Sequence, residues 1–140
     1  IGLVYHTISP SPLDHLRHIY PAKTPAMFEA DLAYLKKNFS VISYPEYLAM
    51  QRGATPVARD AVLITFDDGY RECSTIVAPL LEKDGLPGLF FVTTDFLDNR
   101  VLFYRNKYSL SVARIQAMSP EETAALLPII NARFGQDLPG

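Results

Sequence analysis

The chain has 140 residues, of which 49% are hydrophobic and 20% are charged, so its composition excludes a disordered or fibrous protein. Thirteen basic and 15 acidic residues give a net charge of −2, which offers no basic excess to attract nucleic acid or anionic lipid. No apolar run approaches the ~18 residues of a membrane span. The single cysteine, Cys73, excludes an internal disulfide framework and a cysteine-rich zinc site.

Four short apolar runs, partly β-branched or aromatic, have the composition of buried strands. They are Gly2–His6, Phe39–Ser43, Ala61–Phe66 and Leu89–Thr93. Because helical signals separate these runs, the sequence predicts an α/β fold with a mostly parallel sheet.

Three helices are predicted between the strands from their capping residues. Thr24 followed by proline begins a helix that ends near Asn38. A capping box at Ser43–Glu46 begins a second helix, which reaches about Gln51. A third helix is expected over Cys73–Lys83, where an Asp-Gly pair follows it.

The alternation of strands and helices stops after Thr94. Residues 95–140 are expected to form a loop and helical insertion, with a polar and aromatic loop at Asp95–Lys107. Helices are predicted at Tyr108–Met118 and Pro120–Arg133, the second with a capping box at its start. The last four residues, 137–140, are expected to be a loop. Three side chains of the 95–107 segment are interpreted as solvated rather than as sugar contacts: Tyr104, Arg105 and Lys107.

The segment Ile64–Tyr70 carries two adjacent aspartates at the end of the third predicted strand. Ligands of α/β folds bind at this carboxyl end of the strands. The glycine after the aspartates allows the chain to turn, so Asp67 and Asp68 can reach one site. Two carboxylates at close range have pKa values that are pushed apart, so one can act as a base while the other binds a cation.

These aspartates have other interpretations. Asp-Asp-Gly is a common turn sequence, and outside this context we would favour a simple turn. The Asp-x-Asp pattern of aspartyl-phosphate phosphatases and the alternating acidic residues of a calcium loop are both absent. Because the pair directly follows an apolar strand, the pattern favours a metal-dependent hydrolase site.

Three segments, in this order and spacing, resemble the polysaccharide deacetylase family, the NodB-homology carbohydrate esterases. They are Leu3–His6, Ile64–Tyr70 and Gly85–Val92, and Ile64–Tyr70 is the most specific of them. The stretch Phe28–Tyr47 also resembles the corresponding helix, strand and helix of the family. The resemblance covers the chain from residue 3 to about residue 97.

The resemblance implies a distorted β/α barrel of about seven strands, with residues 1–140 as the N-terminal part of one domain. It implies a hydrolase that removes N- or O-acetyl groups from a polysaccharide, in an extracytoplasmic or cell-envelope location. Asp67 would then be the general base, and Asp68 would be a ligand to a divalent metal, most simply zinc. The backbone N–H of Tyr70 would help to hold the oxyanion. A metal lowers the pKa of bound water, and a carboxylate beside it accepts the proton.

The sequence departs from the family pattern in its histidines. A catalytic zinc normally takes three protein ligands, and the family supplies two from a His-x-x-x-His motif after the signature. No histidine follows His18 here, and His15 and His18 lie upstream in a proline-rich loop, where we interpret them as solvated. We expect that residues beyond Gly140 carry the paired histidines, because an intact Asp-Asp pair has little reason to persist in an inactive fold and the predicted strands do not close a barrel.

This expectation has two consequences. The 140-residue chain alone is expected to have little or no deacetylase activity, because its ligand set is incomplete. The alternative is a catalytically silent glycan-binding or structural relative with the same fold. A different metal hydrolase on the same barrel, acting on amides, is a third possibility.

Three further residues are secondary candidates. His6, at the end of the first strand, is expected near the aspartates, where it contacts substrate or is a structural histidine. Cys73 lies near a helix start, but a buried structural thiol is the favoured interpretation. Arg71 either orients Asp67 or interacts with the start of the helix.

Overall fold

The computed structural model describes residues 1–56 and 60–135. Its strands are β1 (Gly2–Tyr5), β2 (Ser40–Val41), β3 (Ala61–Phe66) and β4 (Leu89–Phe90). Its α-helices are α1 (Pro25–Asn38), α2 (Tyr44–Gln51), α3 (Ala78–Asp84), α4 (Tyr104–Gln116) and α5 (Pro120–Phe134). A π-helical turn at Cys73–Val77 leads into α3, and a kinked 3-10 segment occupies Thr94–Asn99. None of the helices described is both long and apolar enough to cross a membrane.

The helix starts predicted from capping residues are confirmed. The Thr24 hydroxyl accepts a hydrogen bond from the Met27 amide at 3.3 Å at the start of α1. Both predicted capping boxes are formed, by Ser43 at the start of α2 and by Ser119 at the start of α5. Gly135, in the left-handed region at φ 61°, ends α5 where the sequence predicts.

The sheet is parallel and β3 is its central strand. Residues 2–5 of β1 lie in register with residues 63–66 of β3. The short strand β2 pairs with the first two residues of β3, and β4 pairs with the last two. The predicted α/β class with a parallel sheet is therefore confirmed, although β2 and β4 are shorter than the apolar runs that predict them.

One face of the sheet packs against α1 and α3. Phe66 is fully buried, and its ring lies 5.5 Å from that of Tyr5, 5.0 Å from that of Phe90 and 5.9 Å from that of Phe28. Aromatic pairs of this kind contribute about 0.5–1.5 kcal/mol each beyond the area that they bury. The cluster thus joins the ends of β1, β3 and β4 to α1 at a single buried ring.

The opposite face of the sheet carries apolar side chains that the described residues leave exposed. Val4 is in register with Thr65, so it lies on the other side of the sheet from Phe66. It is 59% exposed, and Phe91, directly after β4, is 53% exposed.

The described residues form two compact units. The first contains Ile1–Leu13 and Pro21–Leu102, and the second contains Asp14–Tyr20 with the described residues from Phe103 onward. Inside the second unit, the Ser109 hydroxyl donates to the Asp14 carbonyl at 2.6 Å.

The prediction of a loop over Asp95–Lys107 is wrong in part. Helix α4 begins at Tyr104 rather than Tyr108, and a 3-10 segment lies within residues 94–99. Phe103 makes no side-chain capping hydrogen bond, so the start of α4 has no capping signal in the sequence. The predicted loop at 137–140 lies outside the described residues.

Candidate functional site

The aspartate pair lies in a tight turn at the carboxyl end of β3. The Asp67 amide still donates to the Tyr5 carbonyl at 2.9 Å, so Asp67 continues the pairing with β1. Asp68 and Gly69 then both adopt left-handed backbone conformations, at φ 70° and 71°. Such a φ is unfavourable for most residues and is tolerated best by Gly, Asn and Asp. The backbone therefore reverses direction immediately after Asp67, and the first turn of the following helix begins at Arg71.

Gly69 is required by close packing as well as by its backbone conformation. A Cβ atom at this position would lie 3.0 Å from Cγ1 of Val92, which follows β4. The turn thus packs against the segment after β4. A cleft of about 290 Å3 beside it is lined by residues that include Tyr70 and Arg71, but not by Asp67 or Asp68.

His6 lies next to the aspartate turn, as the sequence predicts for its position. Tyr5 and Phe66 are register partners, so His6 and Asp67 are the next residues at the ends of two paired strands. The Cys73 thiol contacts the His6 carbonyl oxygen at 3.4 Å. The helical turn after the aspartates is therefore attached to the end of β1, and both half-buried residues, His6 and Asp67, lie at one edge of the sheet.

Cys73 has the environment of a structural thiol, as favoured from the sequence. It is buried in the core, and burial raises the pKa of its thiol to about 11, with smaller contributions in the same direction from the charges of Glu72 and Asp68. A hydrogen bond from the backbone near Tyr70 opposes this shift. The thiolate, which is the nucleophilic form, is thus disfavoured at neutral pH.

The folded chain is therefore expected to react slowly with alkylating reagents at Cys73. A pKa of about 11 instead of an ordinary ~8.5 lowers the thiolate fraction at pH 8 by roughly two orders of magnitude. Iodoacetamide labelling followed by intact-mass measurement should be slow in the folded chain and fast in urea. Because Cys73 is the only cysteine, no other thiol contributes. Equal labelling rates in the two conditions would contradict this assignment.

Of the other predicted candidates, Arg71 lies beside the aspartate turn and the rest belong to the second unit. No ion pair links Arg71 to Asp67 among the residues that the structure describes, and the Arg71 carbonyl accepts from the Ser74 hydroxyl at 3.1 Å. His18 belongs to the second unit, and its Nε2 accepts a hydrogen bond from Arg17 Nε at 3.2 Å. His15 also belongs to that unit, as do Tyr104, Arg105 and Lys107.

The described residues, 1–56 and 60–135, do not form a complete metal site. Among the described residues, no group of three or more His, Cys, Asp or Glu side chains could hold a metal ion. A catalytic zinc needs three protein ligands. Asp68 can therefore provide at most part of such a site.

Sequence reasoning missed two features near the strand ends. Thr7 follows His6, is buried, and has no hydrogen-bond partner for its hydroxyl in the described part of the chain. Asp31 on α1 accepts hydrogen bonds from the Tyr5 hydroxyl, at 2.9 Å, and from the Lys23 ammonium group. Burial and the neighbouring Asp31 raise the pKa of Tyr5 well above its usual value. The only sequence signal for the buried Thr7 hydroxyl is its position directly after an apolar strand. No local sequence pattern indicates that Asp31 accepts hydrogen bonds from Tyr5 and Lys23.

Known proteins similar to this chain are polysaccharide deacetylases. The sequence model described as polysaccharide deacetylase matches residues 54–126, just over half of the chain. The poly-beta-1,6-N-acetyl-D-glucosamine N-deacetylase of Escherichia coli K12 is 26% identical over 99 residues, which are 70% of this chain and 14% of that protein.

Two solved structures share the fold over most of the chain. The structure of IcaB from Ammonifex degensii has a TM-score of 0.62 and 27% identity, over 72% of this chain and 41% of that one. A de-N-acetylase from Aggregatibacter actinomycetemcomitans also has a TM-score of 0.62, with 20% identity over 75% of this chain and 45% of that one. The chain spans less than half the length of these similar proteins. Over the matched part it has the fold of these deacetylase domains.

Proposed function

The chain belongs to the polysaccharide deacetylase family, and we propose that it supplies the base and one metal ligand of an enzyme that removes N- or O-acetyl groups from a polysaccharide. The observation that most supports this is the turn at Asp67–Gly69, which lies at the carboxyl end of β3 beside His6. Ligands of α/β sheets bind at this edge. A glycan of the cell envelope, with the protein in an extracytoplasmic location, fits this proposal.

In the proposed reaction Asp67 accepts the proton of the water that attacks the acetyl carbonyl. A carboxylate positioned for this contributes about 10²–10⁴-fold to the rate. The hydrogen bond from the Asp67 amide to the Tyr5 carbonyl fixes the backbone from which this carboxylate projects. The Tyr70 amide follows the left-handed turn, and we assign it to the oxyanion that forms on the acetyl oxygen.

We propose Asp68 as one ligand of a divalent metal, most simply zinc. A catalytic zinc takes three protein ligands and no histidine follows His18 in the sequence, so we propose that the remaining ligands are histidines outside residues 1–140. The isolated chain is then inactive, and activity belongs to the full-length protein. His6 is proposed as a residue near the site that contacts substrate.

The substrate class is proposed from the relatives. The Escherichia coli relative is named for a polymer of β-1,6-linked N-acetylglucosamine. An N-acetylated hexosamine polymer is therefore the first substrate to test.

Acetate release by the full-length protein tests this proposal. Purified protein with added zinc should release acetate from a β-1,6-linked N-acetylglucosamine oligomer, and the 140-residue chain alone should not. An O-acetylated glycan serves as the comparison substrate. A folded full-length protein that binds the oligomer but releases no acetate from either substrate would instead be a silent glycan-binding relative. Acetate release by the 140-residue chain alone would contradict the proposal that ligands lie outside it.

A further inference from the structure

Asp31 of α1 holds two side chains that lie close to the candidate site in the fold. Its Oδ2 atom accepts a hydrogen bond from the Tyr5 hydroxyl at 2.9 Å. The same oxygen accepts a hydrogen bond from the Lys23 ammonium group, which lies 5.9 Å from the centroid of the Tyr5 ring. Hydrogen bonds to an ionised carboxylate are about twice as strong as neutral ones. Asp31 therefore attaches both Tyr5 and Lys23 to α1.

Tyr5 connects Asp31 to the aspartate turn. It is the last residue of β1, and its carbonyl oxygen accepts a hydrogen bond from the Asp67 amide at 2.9 Å. Its ring lies 5.5 Å from that of Phe66, the residue before Asp67. Because the ring and the carbonyl group belong to the same residue, holding the Tyr5 side chain also restrains the carbonyl that binds the Asp67 backbone. Two hydrogen bonds and one residue thus link Asp31 to Asp67.

Lys23 restrains the chain on the other side of His6. The Ser9 amide donates to the Lys23 carbonyl at 2.9 Å, and Ile8 forms a parallel bridge with Lys23. Ile8 is also fully buried. His6 therefore lies between two restrained positions, Tyr5 and Ile8, and Asp31 contacts the side chains responsible for both restraints.

Aromatic packing alone is the alternative explanation for the position of Tyr5. Its ring also lies 5.3 Å from that of Phe28, and phenylalanine at position 5 would keep these ring contacts. Ring packing is not strongly directional, whereas a functional group must be held within about 0.5 Å of its productive position. The hydrogen bond from the Tyr5 hydroxyl to Asp31 adds a directional restraint that the rings do not supply.

Other ion pairs of α1 join it to a different element. Glu29 accepts a hydrogen bond from Lys83 at 2.8 Å, and Lys36 donates to Asp84 at 3.0 Å. Both of these pairs join α1 to α3, whereas Asp31 joins α1 to the end of β1. Glu29 thus provides a matched acidic residue on the same helix.

We propose that Asp31 is a positioning residue, which holds the end of β1 and, through Tyr5, the backbone from which the Asp67 carboxylate projects. Its role in the reaction rests on the proposed function, in which Asp67 is the general base. Asp31 touches neither the substrate nor the metal in this proposal. A displacement of about 1 Å at a reacting group can lower a rate by about a hundredfold, so loss of this support should be measurable in kcat.

Acetate release by the full-length protein tests the effect on the reaction. Asp31→Ala and Tyr5→Phe should each lower kcat at least about fivefold, and Tyr5→Phe should leave KM within about twofold of the parent value. Asp31→Asn should keep kcat within about twofold, because its amide oxygen can accept both hydrogen bonds. The double variant of Asp31→Ala and Tyr5→Phe should lose no more than the larger single loss, since both changes break the same bond.

Hydrogen exchange in the same full-length proteins tests the structural step without a measurement of activity. The Asp67 amide should exchange at least about tenfold faster in Asp31→Ala and in Tyr5→Phe, because a hydrogen bond to a charged group contributes about that factor to local stability. The Ile42 amide donates to the Val62 carbonyl at 2.9 Å, near the other end of β3, and should exchange as in the parent protein. Mass spectrometry of overlapping peptides measures both sites.

Glu29→Ala and Tyr34→Phe are the matched controls, and both should keep the parent kcat and the parent exchange of the Asp67 amide. Tyr34 is an exposed tyrosine of the same helix. If Asp31→Ala does not fold, Tyr5→Phe, which removes one oxygen atom, carries the same test.

Unchanged exchange of the Asp67 amide in Tyr5→Phe would overturn the proposal and leave aromatic packing as the explanation. So would equal losses of kcat in Asp31→Ala and Glu29→Ala, or an Asp31→Asn protein as impaired as Asp31→Ala. If the parent protein releases no acetate, the proposed function fails, whereas faster exchange of the Asp67 amide in the variants would still show that Asp31 holds the Asp67 backbone.

Discussion

Asp67→Asn in the full-length protein is expected to release acetate at least about a hundredfold more slowly than the parent protein. A general base contributes about 10²–10⁴-fold, and an amide cannot accept the proton. Asparagine has almost the same shape, and the bond from the residue 67 amide to the Tyr5 carbonyl uses only the backbone. The fold and the proposed metal affinity should therefore be retained. Initial rates of acetate release at saturating zinc measure the effect.

Asp60→Asn is the matched control for this variant. Asp60 lies just before β3, at the opposite end from Asp67, and accepts a hydrogen bond from the Ser40 hydroxyl at 3.1 Å. An asparagine oxygen can accept the same bond, so this variant should keep the parent rate. An Asp67→Asn protein that retains activity within about tenfold of the parent would remove Asp67 from the role of base, because the loss would fall below the range of general-base catalysis.

Substitutions of Asp68 are expected to separate metal binding from stability. Asp68→Asn, Asp68→Gly and Asp68→Ala all remove the proposed ligand. Loss of an outer-shell partner alone costs about 10–100-fold in metal affinity. Loss of a direct ligand should thus weaken zinc binding by at least about a hundredfold in all three proteins. Competition with a fluorescent zinc chelator measures this in the full-length protein.

The free energy of unfolding of the same three variants should depend on how well each residue tolerates the left-handed backbone at position 68, and not on the loss of the metal ligand. Asp68 has φ 70°, a conformation that Asn and Gly tolerate and that costs alanine about 1–2 kcal/mol. Only Asp68→Ala should therefore lower the free energy of unfolding by about 1 kcal/mol in urea titrations of the 140-residue chain. Metal bound equally with and without the Asp68 carboxylate would show that the ligand assignment is wrong. A larger stability loss for Asp68→Gly than for Asp68→Ala would contradict the backbone argument.

Structural features that depend on contacts within a few residues, such as helix caps, could be predicted from the sequence. Caps at Thr24, Ser43 and Ser119 depend on hydrogen bonds to an amide three residues away, so the pattern alone locates them. The apolar runs also predict the strands β1 and β3, but the prediction that both are buried is wrong for β1: β3 is buried along most of its length, whereas Val4 on β1 is 59% exposed because no described residue covers that face of the sheet.

Features that depend on distant partners could not be predicted. The lengths of β2 and β4 are set by how far each pairs with β3. The start of α4 was missed because its inward face contains Asn106 and Ser109, whose bonding partners lie more than 90 residues earlier. The π-helical turn at Cys73–Val77 also has no local pattern that separates it from an α-helix.

The site was predictable in position but not in conformation. The sequence predicts that Asp67, Asp68 and His6 lie at the ends of neighbouring strands, and the register brings His6 and Asp67 together there. The left-handed backbone of Asp68 and the contact of Gly69 with Val92 depend on how the turn packs. The roles of these residues stay predictions that the variants above test.

The exposed face of the sheet affects how the chain behaves in solution. Parallel sheets are almost always covered on both faces. Val4 and Phe91 lie on a face where the described residues leave both side chains exposed, and exposed apolar surface of this kind promotes association. The colloidal stability of the 140-residue chain should accordingly fall as its concentration rises. Dilute samples are therefore the appropriate condition for every measurement on it.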